Sequence, residues 1–273
     1  MAWLQQVLKE FTPPIVLRLL RTLRTPAISL SGHYQRWDEA AAQCSGYDAA
    51  DILKRTLHAT LEVQSGRAVF ERDSVIFSDI QYSWPALAGI LLAAARHPQA
   101  LGVLDFGGSL GSSFFQNRRF LQQLPSTTWG VVEQAHYIEA GRQYVKTPSL
   151  NFYKTIDECR QAQAVDVLLL SSVLQYLPDP FAILAQLLDV AADVIVVDRT
   201  CFWRDPNLST VVRVQSVSGD IGRASYPCWV FNQEQVLAFI QSRGYTLIEA
   251  FSALDNFDSS AEWKGFIFLR GSR

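Results

Sequence analysis

The stretch LGVLDFGGSLGSSFF, residues 101–115, most constrains what this chain can fold into, because it joins an apolar strand, a carboxylate and a glycine-rich turn. Val103 and Leu104 continue an apolar run expected of a strand buried on both faces of a parallel sheet, and Asp105 stands where that strand ends. Gly107, Gly108 and Gly111 permit a tight turn and close approach of backbone to a ligand. Ser112 then opens an apolar-periodic segment, FFQNRRFLQQL, that is expected to be helical. Open α/β sheets bind ligands at this edge of their strands, so the segment predicts a nucleotide-cofactor turn.

Four more predicted strands follow the first. Residues 128–132 end at Glu133 and Gln134, and residues 150–153 lead into TIDEC. The run VDVLLLSSVLQYLPDP supplies a fourth strand ending at Ser171 and Ser172, and residues 193–197 a fifth ending on Asp198 and Arg199. After a helical segment at 233–243, YTLIEAFSA and GFIFLRG read as two further strands.

Two cofactor fingerprints compete for the glycine turn. A dinucleotide GxGxxG started at Gly107 needs glycines where Ser109 and Ser112 stand, so it fails twice. The spacing DxGxGxG fits Asp105, Gly107 and Gly111, with Ser109 in place of the middle glycine. In this the chain resembles the class I methyltransferases that bind S-adenosylmethionine. The resemblance implies an α/β, Rossmann-like fold: a seven-stranded, mostly parallel sheet with an antiparallel closing hairpin, here carrying an N-terminal helical extension. Such a hairpin discriminates against ordinary dinucleotide-binding domains.

The resemblance also distributes roles. Asp105, Gly107, Gly108, Ser109 and Gly111 become the first cofactor motif, Glu133 the ribose partner, and Gln134, Ser171 and Ser172 further cofactor-binding candidates. A strand-end carboxylate such as Glu133 can accept two hydrogen bonds from vicinal hydroxyls. Asp157 becomes a partner for the adenine amino group, although Thr155 or Asp157 reads equally well as a helix cap. Asp166 lies early in the fourth strand, where many methyltransferases carry an aspartate. Gln175 and Tyr176 stand where a histidine pair is common in the turn 173–177, which removes an obvious general base.

The wording DFGGSLGS, WGVVEQ, FYKTIDEC, LQYLPDP and VDRTCF is similar to a narrower family of methyltransferases found among bacterial surface-polysaccharide gene sets. GHYQRW, GYDAADIL and ERDSVIF extend the likeness from about residue 31 to the C-terminus. It implies S-adenosylmethionine as cofactor and supplies no acceptor; a small molecule or glycan is the expected class, and the scattered cysteines are expected to be reduced thiols of a cytoplasmic protein. In-line displacement at a sulfonium methyl requires an aligned acceptor and a sink for its proton. Asp198, Tyr226 and His33 are the candidate groups, with Arg199 a candidate clamp for an acceptor phosphate or carboxylate. Asp198 and Arg199 read equally as a structural ion pair. Two other classes stay open: a partner protein that keeps the cofactor site but transfers nothing, and a nicotinamide-dependent nucleotide-sugar enzyme. The failed GxGxxG and the absence of a YxxxK pair disfavour the second.

Composition bounds the remainder. The 273 residues, 49% hydrophobic and 18% charged, suffice for a substantial core, and a net charge of −2 gives no general pull toward nucleic acid. Cys44, Cys159, Cys201 and Cys228 form no CxxC pair, and His33, His58, His97 and His136 lack metal-ligand spacing, so no metal site is expected. No run reaches the ~18 apolar residues of a membrane span. In FTPPIVLRLLRTLRTP, Thr12 can cap a helix with Pro13 and Pro14 in its first turn. Ile15, Val16, Leu19, Leu20 and Leu23 fall on one face and Arg18, Arg21 and Thr22 on the other. Residues 12–25 can therefore lie on an anionic membrane, at its inner face, or dock on their own domain or a second subunit. Residues 1–97 read as a mainly helical cap, with a last helix from near Pro85, and 98–273 as the cofactor domain. Residues 199–231 read as an insertion too long for an ordinary connection, expected to wall the acceptor pocket.

Overall fold

The computed structural model describes residues 27–46, 49–219, 222–255 and 258–271. The amphipathic segment at 12–25 lies outside them. The chain opens with β1 (Ala27–Tyr34), α1 (Trp37–Ala41) and α2 (Ala49–Gln64), then β2 (Phe70–Arg72), β3 (Val75–Phe77) and α3 (Trp84–Arg96). Among the described residues before 98, helices make up most of the regular structure, and β1 and a two-stranded hairpin interrupt them. That hairpin turns at Asp73 and Ser74, both with positive φ (52° and 68°), the conformation that a two-residue turn between twisted strands requires.

The main sheet begins with β4 (Leu101–Phe106), followed by α4 (Ser112–Leu121), β5 (Thr127–Val132), α5 (Ala135–Tyr144), β6 (Leu150–Tyr153) and α6 (Ile156–Ala162). Next come β7 (Val167–Ser171), a 3-10 turn (Leu174–Tyr176), α7 (Pro180–Leu188) and β8 (Val194–Trp203). The chain closes through β9 (Val211–Gly219), β10 (Gly222–Val230), α8 (Gln233–Gln241), β11 (Tyr245–Ser252) and β12 (Ala261–Arg270). Seven strands lie in the order β11-β12-β8-β7-β4-β5-β6. From β6 to β8 the neighbours are parallel, and β12 runs antiparallel to both β8 and β11. This is the expected Rossmann-like α/β fold: a seven-stranded, mostly parallel sheet with an antiparallel closing hairpin. The chain moves outward from β4 to β6, then returns to β7 on the other side of β4, so the topological switch point lies between β4 and β7.

Both faces of this sheet are covered, which is why its strands read as unbroken apolar runs. Val103, Val131, Val167, Leu169, Val194 and Val196 face one core with Ile90 and Trp129. Leu104, Leu168, Leu170, Ile195 and Val197 face the other with Phe266 and Phe268. α3 rides close to the sheet at Gly89, where a Cβ would stand 2.6 Å from Val196. Among the described residues no helix is long and apolar enough to cross a membrane.

The fifth strand of the sheet departs from expectation. It does not stop at Asp198 and Arg199 but runs on to Trp203 through a β-bulge, with Val197 opposite Phe266 and Thr200 opposite Lys264. Asp198 and Arg199 thus share the single residue Gly265 across the ladder, and Arg199 takes a positive φ of 50°. A bulge re-aims the side chains it carries. Beyond it, β9 and β10 pair antiparallel, and β1 joins β9 to complete a separate three-stranded sheet. Most of the 199–231 stretch is therefore strand.

Candidate functional site

The turn between β4 and α4 is left-handed at three alternate positions, Gly107 (φ 74°), Ser109 (φ 55°) and Gly111 (φ 91°). Ser109 thus pays the conformational cost that a glycine would avoid, about 1–2 kcal/mol. A Cβ at Gly107 would meet Val173 Cγ2 at 2.4 Å, and one at Gly108 would meet the Asp105 carboxyl carbon at 2.4 Å. The turn therefore lies directly on Asp105, which is 1% exposed and accepts a hydrogen bond from Trp129 Nε1 at 3.1 Å. Burial pushes the Asp105 carboxyl up to about 7, against the indole bond and with the Glu133 charge. Asp105 supports the turn from beneath.

Glu133, half-buried at the end of β5, accepts the Gln134 amide at 2.6 Å and also faces the Ser109 amide. Burial raises its pKa, those amides oppose the rise, and the carboxylate is set beside the glycine turn. Gln134 is exposed at the start of α5. Asp157 is further out, its side chain 80% exposed, and Thr155 takes the cap position by accepting the Glu158 amide at 3.0 Å. Of the two candidate caps, Thr155 is the one that serves.

Across the switch point, Ser171 Oγ donates to Asp198 Oδ2 at 3.3 Å, and Gln175 Nε2 donates to the Arg199 carbonyl at 3.0 Å. Asp198 is 3% exposed, and its Oδ1 has no hydrogen-bond partner among the described residues. Burial raises its pKa and the adjacent Arg199 charge holds it down. Ser172, also left-handed at φ 56°, donates its amide to the Asp198 carbonyl at 2.9 Å. Tyr226 lies one layer away on β10: Gln215 Nε2 donates to its hydroxyl at 2.9 Å, and its ring meets Tyr176 edge-on at 5.4 Å. His33 is exposed on β1 and forms no hydrogen bond or ion pair with these groups among the described residues.

The reading of an Asp198–Arg199 ion pair is replaced by a wider network. Arg199 Nε donates to Asp255 and Nη2 to Asp73 at 2.7 Å, while Arg72 reaches Asp255 at 3.7 Å. Burial works against the Arg199 charge, but Asp73 and Asp255 outweigh it and raise its pKa. On β2 of the same hairpin Glu71, 1% exposed, accepts the Ser112 hydroxyl at the start of α4. The β2–β3 hairpin therefore bridges the crevice from the glycine turn to β8.

Glu71, Arg72, Asp73 and Asp255 escape sequence reasoning because their partners are distant in the chain. One signal for the hairpin was present: FER and VIF flank a two-residue Asp-Ser link. Among the described residues no cluster of three or more His, Cys, Asp or Glu is arranged to hold a metal ion.

A pH dependence follows from the two buried carboxyls. Burial pushes Glu71, like Asp105, up to about 7. An unfolded chain loses these protons near pH 4, so between about pH 4 and about pH 7 the folded state holds more protons and stability falls as pH rises. Shifts of this size correspond to roughly 3–4 kcal/mol per group. Urea denaturation at pH 5 and pH 8 is expected to show this loss in the wild type and a smaller one in Asp105→Asn. Equal pH slopes in the two proteins would contradict it.

No protein-family model matches the chain, and no curated protein matches it. Solved structures similar to it include a 1,6-didemethyltoxoflavin-N1-methyltransferase from Burkholderia thailandensis with bound S-adenosylhomocysteine, at 12% identity and TM-score 0.46, covering 90% of this chain and 96% of that one. An S-adenosylmethionine-dependent methyltransferase from Clostridium acetobutylicum gives 10% identity and TM-score 0.45, over 79% of this chain and 98% of that one. An amino pentose methyltransferase from Micromonospora echinaspora, bound to S-adenosylmethionine, gives 16% and 0.43, over 69% and 92%. At such identities and TM-scores the likenesses carry no argument of their own, and the fold rests on the strand order described above.

Proposed function

We propose that this protein is an S-adenosylmethionine-dependent methyltransferase acting on a small-molecule or glycan acceptor in the cytoplasm, with a role in surface-polysaccharide synthesis. One observation carries the reading. At the switch point the left-handed turn at Gly107, Ser109 and Gly111 stands beside the Glu133 carboxylate and across from Asp198, whose buried Oδ1 has no hydrogen-bond partner among the described residues. A nucleoside with a charged tail fits such a site: ribose hydroxyls at Glu133, base near Gln134 and Asp157, tail along the turn. The crevice also suits a positively charged ligand, because Glu71 and Asp198 form no ion pair among the described residues, whereas Asp73 and Asp255 share Arg199.

When bound, S-adenosylmethionine supplies an electrophilic methyl group on a sulfonium. The chain's own task is to hold the acceptor behind that carbon and remove its proton. Asp198 is the proton acceptor in this reading: burial keeps its carboxylate basic, Ser171 holds one oxygen, and the other, buried and without a hydrogen-bond partner among the described residues, is left for the acceptor to engage. Tyr226, fixed by Gln215, orients acceptor hydroxyls from β10. Arg199, engaged by two carboxylates, holds the hairpin across the crevice instead of clamping an acceptor phosphate. That favours a neutral hydroxyl or amine acceptor. His33 is assigned no step, being exposed and joined to none of these groups.

Methyl transfer from labelled cofactor to a panel of sugar nucleotides and lipid-linked sugars tests the reading. Asp198→Asn is expected to lower kcat by roughly 10²–10⁴ with little change in cofactor affinity. Turnover unchanged in Asp198→Asn and Tyr226→Phe would remove both from the mechanism. A second reading, a partner protein that binds cofactor without transfer, draws on Gln175, which is committed to the Arg199 carbonyl where a histidine base is common. Tight cofactor binding with no methylated product across the panel would favour it. Ser109 and Ser112 in the turn, together with the antiparallel hairpin, stand against a nicotinamide enzyme.

A further inference from the structure

Glu71 is the least explained charge in the molecule. It is 1% exposed, it faces the first residue of the helix that follows the glycine turn, and one of its oxygens, Oε2, has no hydrogen-bond partner among the described residues. The groups around it do not neutralise it. Ser112 donates a hydroxyl and the Ser74 amide also favours the charge, but Asp73 on the same hairpin repels it, and Arg199, a cation that acts on it, already serves Asp73 and Asp255. Tyr137 on α5 packs near enough to feel its charge. A buried carboxylate left in this state is costly unless it is protonated or paired. As a free group it resolves the cost by protonation, since burial pushes it up to about 7. A cationic ligand in the crevice would resolve it by pairing.

Resting on the reading that this crevice binds S-adenosylmethionine, we propose that Glu71 pairs with the α-ammonium group at the amino-acid end of the cofactor. The β2–β3 hairpin is then part of the cofactor site and not only a cover. Position argues for the ammonium and against the acceptor. Glu71 touches the helix that starts at the glycine turn, whereas the unpartnered Asp198 oxygen lies across the switch point on β8. The amides at the start of α4 that are left over from the helix ladder suit the carboxylate of the same amino-acid tail. Carboxylate and ammonium would thus be read side by side by Ser112 and Glu71. The pairing also sets a proton balance: below about pH 7 the ligand must displace a proton from Glu71, so affinity for the amino-acid tail falls with pH.

Calorimetric titration with S-adenosylmethionine, S-adenosylhomocysteine and 5′-methylthioadenosine tests this, because the third has the nucleoside but no amino-acid tail. Glu71→Gln is expected to bind the first two about 10- to 100-fold more weakly than wild type and 5′-methylthioadenosine equally well. In the wild type the preference for S-adenosylhomocysteine over 5′-methylthioadenosine is expected to shrink from pH 7.5 to pH 5.5, where the ammonium stays charged. Titration of Glu133 affects both ligands alike, since both carry the ribose, and cancels from that ratio. Unchanged affinities in Glu71→Gln, or an equal loss for all three ligands, would overturn the pairing while leaving the cofactor reading intact. A wild-type preference independent of pH would overturn it without any variant. Failure of the wild type to bind any of the three would instead overturn the cofactor reading, and the pairing with it.

Discussion

Gly107→Val is expected to destabilise the protein by about 2–5 kcal/mol, through two costs that act at the same atom. The residue sits at φ 74°, where a β-branched side chain is strained by about 1–2 kcal/mol. Its Cβ would also stand 2.4 Å from Val173 Cγ2, in the turn after β7, so either the glycine turn or the 3-10 turn must shift, at about 1–3 kcal/mol for overpacking. Both turns wall the switch point, so the displacement reaches the ligand crevice. Ser109→Gly provides the control: it relieves a left-handed serine but adds freedom to the unfolded chain, and a net change within about 1 kcal/mol is expected. Urea denaturation followed by far-UV circular dichroism measures both. A Gly107→Val protein as stable as wild type would mean that the turn is not packed as described.

The second large effect belongs to Arg199→Met. Asp255 is 5% exposed, and its close partner is Arg199, with Arg72 more distant at 3.7 Å. Removing the guanidinium leaves that carboxylate buried without adequate compensation, a loss of about 3–5 kcal/mol near neutral pH. Asp255→Asn in the same chain is expected to recover most of it, whereas Asp73→Asn alone costs under about 1 kcal/mol, because the Asp73 side chain is 66% exposed. A double-mutant cycle between positions 199 and 255 reads the coupling directly. Additive effects of the two substitutions would contradict a buried pair. The same variant loosens the hairpin from β8, so protease sensitivity near residues 70–77 is expected to rise with it.

The parallel sheet was legible because its strands are covered on both faces and therefore spell apolar runs: VLLLS between polar segments and VIVV before the bulge could hardly be anything else. The glycine turn was legible for a different reason, since left-handed backbone at Gly107 and Gly111 demands the residue type that marks it. The three-stranded sheet was obscured. AISLSGHY alternates only from Ile28 to Ser31 before Gly32 interrupts it, and its partner β9 lies far along the chain, so no local pattern announces the pairing. The bulge was hidden as well, because VDRTCFW reads as a strand end followed by a loop until Gly265 is seen opposite two residues. Glu71 and Asp255 were missed because a charge in a short exposed-looking segment looks solvated, and only the fold buries it. Long-range ion pairs leave no spacing to read.

The measurement that tests the central claim most directly is a calorimetric titration of S-adenosylmethionine into the wild-type protein and its Glu133→Ala variant, after removal of any carried-over ligand. The cofactor site described here predicts one molecule bound per chain in the wild type. Glu133→Ala is expected to bind roughly 10- to 100-fold more weakly, the worth of charge-assisted hydrogen bonds to the ribose. Equal affinity in the two proteins, or no binding by the wild type, would contradict the claim that the crevice between Gly107 and Asp198 is a cofactor site.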